Sequence, residues 1–231
     1  MERVPLGFRA RGIMNDRVAQ VAADLDAIAA PLGLERLETL GLDGSGAYEY
    51  YAVRLRRGTI FSPYELDLAR ALSAWPAAPR VVHEIGGGFG GLSILLAALG
   101  FKATSLELDA KRFGGASALV EGLREAFPEL RDNCRMINAR FPMGAGELPA
   151  AGAMAVITNL VFTTTVQAKA GIIAALRSYP YAIIDIDRFL VQCRSFQERA
   201  ARLEEFEAAG LVGEPFLDLG VNACLYRFMT G

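Results

Sequence analysis

The sequence is poor in the residues that most often indicate a metal site, a disulfide framework or a nucleic-acid surface. Its 231 residues include one histidine and three cysteines, and the formal net charge is −2. Cys134, Cys193 and Cys224 are odd in number and far apart, so they predict buried thiols in a reducing compartment. A near-neutral balance without a basic block argues against nucleic acid or an anionic membrane as the main partner.

Long apolar runs are also missing. No segment of about 20 unbroken apolar residues could span a bilayer, and the start, Met1 to Pro5, lacks the apolar core of a signal peptide. We therefore expect a cytoplasmic protein with a small-molecule partner and no membrane partner. The sequence does not decide between a monomer and a homodimer. The 52% apolar content is enough for a large core, which predicts one domain with a terminal elaboration.

The most informative stretch is Val81 to Gly91, an apolar run that ends in a cluster of glycines before a Leu- and Ala-rich helical repeat. This order predicts a strand, a tight turn and a helix, with glycines where the backbone bends and approaches a ligand. Glu84 lies two residues before Gly86, and Glu107 ends the next apolar segment. In a doubly wound fold, an acid at the end of the second strand, about 20 residues after the first glycine, accepts hydrogen bonds from ribose hydroxyls. The stretch therefore predicts a nucleotide-binding turn.

The block from Glu84 to Gly90, EIGGGFG, resembles the acid-x-Gly-x-Gly-x-Gly motif of class I S-adenosylmethionine-dependent methyltransferases. The wider block from His83 to Leu92 is similar to bacterial small-molecule and sugar O-methyltransferases. The resemblance implies S-adenosylmethionine as cofactor. Its aminoacyl tail carries an ammonium group that suits an acid, whereas a pyrophosphate needs N–H donors and positive potential. The residues expected to bind it are Glu84, Gly86, Gly88, Gly90, Glu107, Asn138 and Asn159.

Three of these assignments have alternatives. Glu107 is the expected ribose acceptor, but it could be an exposed loop carboxylate, with Asp109 as the second choice. Asn138 ends the predicted third strand, where many family members have an acid that contacts adenine. Asn159 ends the fourth, where family members have a residue near the methionine sulfur or the substrate; a helix cap is the alternative.

Alternating strand and helix patterns predict an α/β fold: a Rossmann-like, doubly wound, mostly parallel seven-stranded sheet with an antiparallel C-terminal strand and an N-terminal helical extension. The reversal follows from a turn at 220–222 that is too short to join parallel strands. Residues 1–79 form the predicted extension or lid, and 80–231 the cofactor-binding domain. The predicted helices are 15–32, 62–73, 92–99, 115–127, 167–176 and 195–209, and the predicted strands 80–85, 103–108, 134–138, 153–158, 181–187, 214–219 and 223–229.

Two sets of residues are candidates for the acceptor side. Asp185 and Asp187 end the predicted fifth strand, where alternation places them on one face, and they are the candidate catalytic residues. A divalent-metal pair, a general base and a helix-capping cluster are all open. Metal-dependent sugar O-methyltransferases have a histidine with no counterpart downstream here, so we predict no metal.

The tyrosines at 48, 50 and 51 are the candidate substrate contacts, as a lid over the site. Core packing of the N-terminal helices is the alternative. His83 adjoins Glu84 in the first strand and therefore points to the other face of the sheet, which predicts a structural role.

These patterns predict an enzyme that transfers a methyl group from S-adenosylmethionine to a small molecule, on oxygen in preference to nitrogen. The protein's share of such a reaction is mainly proximity and orientation, so the sequence defines the donor better than the acceptor. The alternatives are an NAD-dependent oxidoreductase, a non-catalytic cofactor-binding protein and an aminopropyl transferase of the polyamine synthase type.

Overall fold

In the computed structural model, residues 16–41, 46–142, 148–161, 166–190, 193, 195–218 and 224–230 are described. Their strands are β1 (Val81–Ile85), β2 (Lys102–Glu107), β3 (Cys134–Asn138), β4 (Ala153–Ile157), β5 (Leu160–Val161), β6 (Tyr181–Asp185), β7 (Phe189–Leu190), β8 (Leu211–Asp218) and β9 (Cys224–Thr230). Their helices are α1 (Arg17–Thr39), α2 (Gly46–Arg56), α3 (Pro63–Ala74), α4 (Gly91–Ala98), α5 (Ala110–Leu123), α6 (Leu130–Asn133), α7 (Val166–Leu176) and α8 (Phe196–Ala208).

Seven strands form one sheet in the order β3-β2-β1-β4-β6-β9-β8. The first five of these are parallel, and β9 runs antiparallel to both β6 and β8. The predicted mostly parallel sheet with a reversed C-terminal strand is confirmed; the predicted turn at 220–222 lies outside the described residues. The strand order changes direction between β1 and β4, and ligands of doubly wound sheets bind at the carboxyl ends of the strands beside such a point.

Each face of the sheet is covered by its own apolar cluster. On one face, α1 to α5 contribute residues such as Leu25, Leu68 and Leu95. On the other face, α7 and α8 contribute residues such as Ile173 and Phe206. The N-terminal helices share one core with α4 and α5, so packing continues across the predicted boundary at residue 80.

The first helix is longer than expected. Pro31 and Gly33 predict its end, but α1 continues through Pro31 to Thr39. The lost backbone hydrogen bond is offset by burial, because Leu37 is fully buried and Gly33 approaches the Leu55 side chain so closely that a Cβ would lie 2.8 Å from it. Asp16 caps the helix by accepting from the Ala19 N–H. Asn15, the other predicted cap, lies outside the described residues.

Local capping signals decide two other helix starts. The capping box of Ser62 and Glu65 at the start of α3 is confirmed. By contrast, α5 begins at Ala110, five residues before its predicted start, because the Asp109 side chain accepts from the N–H groups of Lys111 and Arg112. Across the described ranges, no helix combines the length and apolar character needed to cross a bilayer.

Candidate cofactor and acceptor site

The glycine turn links β1 to α4 at the carboxyl edge of the sheet. Gly86, Gly88 and Gly90 have φ angles of 76°, 60° and 73°, a region that other residues enter at a cost of roughly 1–2 kcal/mol. The Gly86 N–H donates to the Leu106 carbonyl over 2.8 Å, which fixes the turn against the end of β2. A Cβ at Gly86 would lie 2.8 Å from the Leu160 side chain, so a larger residue there would have to displace Leu160 as well as adopt the left-handed backbone.

Glu107 lies beside this turn, as the sequence predicts. Its Oε2 accepts from the Gly88 N–H and its Oε1 from the Asp109 N–H, each over 2.8 Å. An ionised carboxylate has about four acceptor positions, so two backbone donors leave capacity on both oxygens for hydroxyl groups. The backbone contacts fix the carboxylate against the turn, in the place where a ribose acceptor is expected.

The two predicted asparagines also lie at this edge. Asn138 is opposite Glu107 in the β2–β3 register, and its Nδ2 donates to the Glu107 and Leu108 carbonyls over 2.8 and 3.1 Å. It therefore holds the ends of β2 and β3 together. Asn159 follows β4 and is exposed, and its carbonyl oxygen lies 3.9 Å from a Cβ placed at Gly86. The fold thus brings Glu107, Asn138 and Asn159 to one rim around the glycine turn.

Glu84 is buried against α4. The residue is 3% exposed, and its Oε2 accepts from Ser93 Oγ over 2.6 Å and from the Ser93 N–H over 3.2 Å. Burial raises the pKa of Glu84 to about 8, and the nearby charges of Glu65 and Glu107 act in the same direction. Glu84 therefore lies beneath the turn and joins it to α4; its contact with the ammonium group of the cofactor stays a prediction.

His83 points to the opposite face of β1, as alternation predicts. Its Nδ1 lies 3.0 Å from the Tyr179 hydroxyl, and the two rings meet edge to face. Burial lowers the pKa of His83 to about 4, so the imidazole is neutral at physiological pH. These contacts fit the predicted structural role.

Helix α2 lies directly over the glycine turn. The Tyr51 ring packs on Phe89 with ring centres 4.6 Å apart, and its hydroxyl occupies the space into which a Cβ of Gly88 would project. The Tyr48 hydroxyl donates to Asp109 Oδ2 over 2.9 Å. Tyr50 is 58% exposed and contacts the edge of Tyr51. Two of the three predicted substrate tyrosines therefore attach α2 to the donor side, and the third faces solvent.

An ion pair that sequence reasoning missed connects α2, α3 and α4. Arg54 Nη1 lies 2.9 Å from Glu65 Oε2, and the Arg54 guanidinium lies over the rings of Tyr50 and Tyr51. The other Glu65 oxygen is 3.0 Å from a Cβ placed at Gly91, the first residue of α4. The capping box identified Glu65 as a cap, but nothing in the sequence paired it with Arg54.

The expectation that Asp185 and Asp187 share a strand face is wrong. Asp185 ends β6, and its Oδ1 accepts from the N–H groups of Asp187 and Arg188, which starts a 3₁₀ turn over Ile186–Arg188. Such a turn rotates about 120° per residue, so residues two apart diverge. Asp187 directs both oxygens to Arg199 of α8 at 2.8 and 2.5 Å. Asp185 therefore caps the 3₁₀ turn, which was one of the alternatives, and Asp187 forms a bidentate ion pair with Arg199.

Asp185 Oδ2 faces a residue of the N-terminal segment that the sequence analysis did not select. The Tyr64 hydroxyl lies 3.3 Å from this oxygen, and Arg188 Nε lies 3.8 Å from it. Asp185 has no exposed surface, and burial raises its pKa to about 6 against the opposing charge of Arg188. Tyr64 is the second residue of α3 and lies 121 positions from Asp185 in the chain, so local pattern could not connect them.

A small parallel sheet of β5 and β7 extends this edge between the turn and Asp185. Leu160 of β5 contacts the turn at Gly86, and β7 follows the 3₁₀ turn directly. Leu190 of β7 has a φ of 68°, a sparsely populated region for a non-glycine residue. Among the residues the structure describes, no group of three or more His, Cys, Asp or Glu could hold a metal ion.

Comparison by sequence gives no relative: no protein-family profile matches the chain, and no curated protein matches it significantly. Comparison of structures does give relatives. A glycopeptide N-methyltransferase complexed with S-adenosylmethionine is 14% identical with a TM-score of 0.53, covering 71% of this chain and 86% of its own. A TehB-like S-adenosylmethionine-dependent methyltransferase from Corynebacterium glutamicum is 18% identical with a TM-score of 0.53, covering 79% and 97%.

A third similar structure covers nearly the whole chain. Magnesium protoporphyrin IX methyltransferase from Synechocystis, with bound S-adenosylmethionine, is 13% identical with a TM-score of 0.50, covering 95% of this chain and 99% of its own. All three are S-adenosylmethionine-dependent methyltransferases, and their identities to this chain support an inference about fold alone. The chain has the Rossmann-like fold of class I methyltransferases.

Proposed function

We propose that this protein is an S-adenosylmethionine-dependent methyltransferase. The observation that carries the proposal is the carboxylate of Glu107, fixed by the Gly88 N–H at the end of β2, within the fold of known methyltransferases. The resemblance of EIGGGFG to the methyltransferase glycine motif points the same way. The antiparallel β9 favours this reading over a nicotinamide-dependent oxidoreductase, whose half-domain has no such strand.

The residues present fit this cofactor. Two glycines of the turn stand where a side chain would overlap Leu160 or the Tyr51 hydroxyl, so the turn is closely packed and its backbone carries no side chains there. Glu107 would accept from the ribose hydroxyls, Asn138 would lie at the adenine edge, and Asn159 would lie on the methionine side. The cofactor supplies a methyl group on a sulfonium that is activated for displacement, and the protein supplies position and orientation.

The acceptor in this proposal is a small molecule methylated on oxygen. A net charge of −2 and the lack of a basic block do not suit a polyanionic acceptor. The N-terminal segment carries aromatic side chains across the carboxyl edge, from Tyr51 over the turn to Tyr64 at Asp185. Aromatic faces and hydroxyls of this kind suit a ring or a sugar. No metal enters the proposal, because Asp187 is engaged by Arg199.

Calorimetric titration with S-adenosylmethionine, its demethylated product and NAD tests the donor assignment. We expect binding of the first two and no binding of NAD. Glu107→Ala should weaken S-adenosylmethionine binding about 10- to 100-fold, because hydrogen bonds to a charged group contribute about 1.5–3 kcal/mol. Glu121→Ala removes an exposed α5 carboxylate and serves as the control. Unchanged affinity in Glu107→Ala, or selective binding of NAD, would overturn the proposal.

A further inference from the structure

The acceptor side contains a buried carboxylate that a substrate cannot touch directly. Asp185 has no solvent-exposed surface, although it ends β6 at the ligand-binding edge of the sheet. Its Oδ1 is occupied by the two backbone N–H groups of the 3₁₀ turn. Its Oδ2 faces the Tyr64 hydroxyl, and Tyr64 is partly exposed. Any exchange between Asp185 and a bound acceptor would therefore pass through the phenol oxygen of Tyr64.

The position of Tyr64 brings this pair near the donor site. Glu65, the next residue, lies against the first residue of α4, which follows the glycine turn. Across the same edge, β4 is the only strand between β1 and β6 in the sheet order of the described residues. Neighbouring strands are about 4.8 Å apart, so the ends of β1 and β6 are separated by about 10 Å, the scale of a small ligand.

We propose that Tyr64 and Asp185 form a proton relay that deprotonates the acceptor hydroxyl during methyl transfer. The inference rests on the proposed methyltransferase function and adds a base to it. Tyr64 is the catalytic residue, because its oxygen meets the acceptor, and Asp185 holds the proton at the end of the relay.

The step balances without any further reactant. The acceptor oxygen forms a bond to the methyl carbon, and the sulfur–methyl bond breaks with its electron pair returning to sulfur. The acceptor proton moves to the Tyr64 oxygen as the phenol proton moves to Asp185 Oδ2. A neutral thioether leaves, the acceptor becomes a methyl ether, and Asp185 ends protonated until it exchanges with solvent through Tyr64.

The charges around the pair suit this role. Burial and the adjacent Asp185 raise the pKa of Tyr64 well above its ordinary value, so Tyr64 stays protonated until a neighbour accepts its proton. Arg188 lies close to Asp185 and over the Tyr64 ring, where it stabilises a carboxylate. Asp187 opposes ionisation of Asp185 but is paired with Arg199, and β9 places apolar Leu225 opposite Asp185. With its pKa near 6, Asp185 is ionised at neutral pH and can accept a proton.

Other candidates for the base have their hydrogen-bonding atoms engaged elsewhere. Asp187 directs both oxygens to Arg199. His83 lies on the opposite face of β1 and contacts Tyr179. Tyr48 donates to Asp109 on the donor side. Tyr64 differs from these because its hydroxyl faces a buried carboxylate at the end of β6.

Tyr64→Phe removes the relay hydroxyl and keeps the ring. With radiolabelled S-adenosylmethionine and two hydroxyl probes that are protonated at neutral pH, phenol and methyl α-D-glucopyranoside, we expect kcat to fall about 10²- to 10⁴-fold, the usual contribution of acid–base catalysis. Cofactor affinity should stay within about twofold. Tyr179→Phe, which removes a buried hydroxyl on the other face of the sheet, should retain the wild-type rate. A wild-type rate in Tyr64→Phe would overturn the relay.

The pH profile separates a relay from a structural contact. In the wild type, kcat should rise with pH as Asp185 loses its proton near pH 6 and then level off. Asp185→Asn should lose activity and this inflection while still binding cofactor. An unchanged inflection in Asp185→Asn would overturn the assignment.

A measurement without any acceptor checks the coupling itself. The carboxyl carbon of Asp185, followed by NMR in aspartate-labelled protein, should titrate at higher pH in Tyr64→Phe, because the carboxylate loses a donor. Tyr179→Phe should leave its titration unchanged. An unchanged titration in Tyr64→Phe would overturn the relay. Loss of cofactor binding in the wild type would instead refute the proposed function, whereas intact cofactor binding with an unchanged Asp185 titration in Tyr64→Phe would refute the relay alone.

Discussion

The donor and acceptor sides of this molecule are built from contacts of different range along the chain. On the donor side, the turn, Ser93 and Glu107 lie within 24 positions of one another and are joined by one βαβ unit. On the acceptor side, Tyr64 meets Asp185 across 121 positions. The turn and its two acids are therefore a local structure, to which Asn138 and α2 are added from more distant parts of the chain. The acceptor side, by contrast, exists only after α3 has packed onto the sheet.

The carboxylates of the two sides also differ in what they contact. Glu84 and Glu107 accept from groups of the turn, of α4 and of the β2 end, so they help to fix the backbone that a cofactor would meet. Asp185 accepts backbone N–H groups on one oxygen and faces Tyr64 with the other. Recognition of a donor needs a fixed cradle, whereas chemistry on an acceptor needs a group that can gain and lose a proton.

The largest expected effect sharpens this contrast on the acceptor side. Asp187→Ala should lower the free energy of unfolding by about 3 kcal/mol, the lower end of the range for breaking a buried ion pair, because Arg199 is partly hydrated. Affinity for S-adenosylmethionine should change little. Denaturant titration and calorimetry measure the two quantities, with Glu121→Ala as the exposed-pair control. A stable variant that binds cofactor but has lost catalysis would return Asp187 to the catalytic residues.

A smaller effect is expected for Gly88→Val on the donor side. A valine there would collide with the Tyr51 hydroxyl and shift the turn that the cofactor is proposed to meet, so affinity should fall about 100-fold, or about 2.7 kcal/mol. Gly152→Val is the matched control, since Gly152 has a similar φ of 74° and no atom within 4 Å of its Cβ position. Calorimetry should show the loss in Gly88→Val alone. Equal losses in both variants would attribute the effect to backbone strain.

The last expected effect, the smallest of the three for any single unit of pH, concerns the buried carboxyl beneath the turn. Because the pKa of Glu84 is raised to about 8, the folded state holds a proton that the unfolded state releases near pH 4.5. Stability should therefore decline as pH rises from about 5 to 8, and Glu84→Gln should remove up to about 1.4 kcal/mol per pH unit of that decline. Denaturant titrations across this range, with Glu121→Gln as control, measure it. A parallel decline in both proteins would place the titrating group elsewhere.

Predictability from sequence followed the range of the contacts at the glycine turn and at α3, but not at the end of β6. The glycine turn, the strand at Cys134–Asn138 and the capping box at Ser62 were predicted closely, because each depends on residues within a few positions. The end of α1 was wrong, because burial of Leu37 outweighs the break that Pro31 signals. The shared face of Asp185 and Asp187 was wrong, because the Asp185 side chain caps a 3₁₀ turn that replaces the last residues of the predicted strand.

The sequence by itself determined the alternation of strands and helices, the reversed last strand and the placement of Glu107 beside the glycine turn. These features follow from periodicity, glycine conformation and connection length, which act within one supersecondary unit. Tertiary structure decided that Glu84 lies beneath the turn, that Asp187 pairs with Arg199 and that Tyr64 reaches Asp185. The Tyr64–Asp185 contact joins residues 121 positions apart. The other two join residues only 9 and 12 positions apart, but their partners too are decided by how α4 and α8 pack on the sheet.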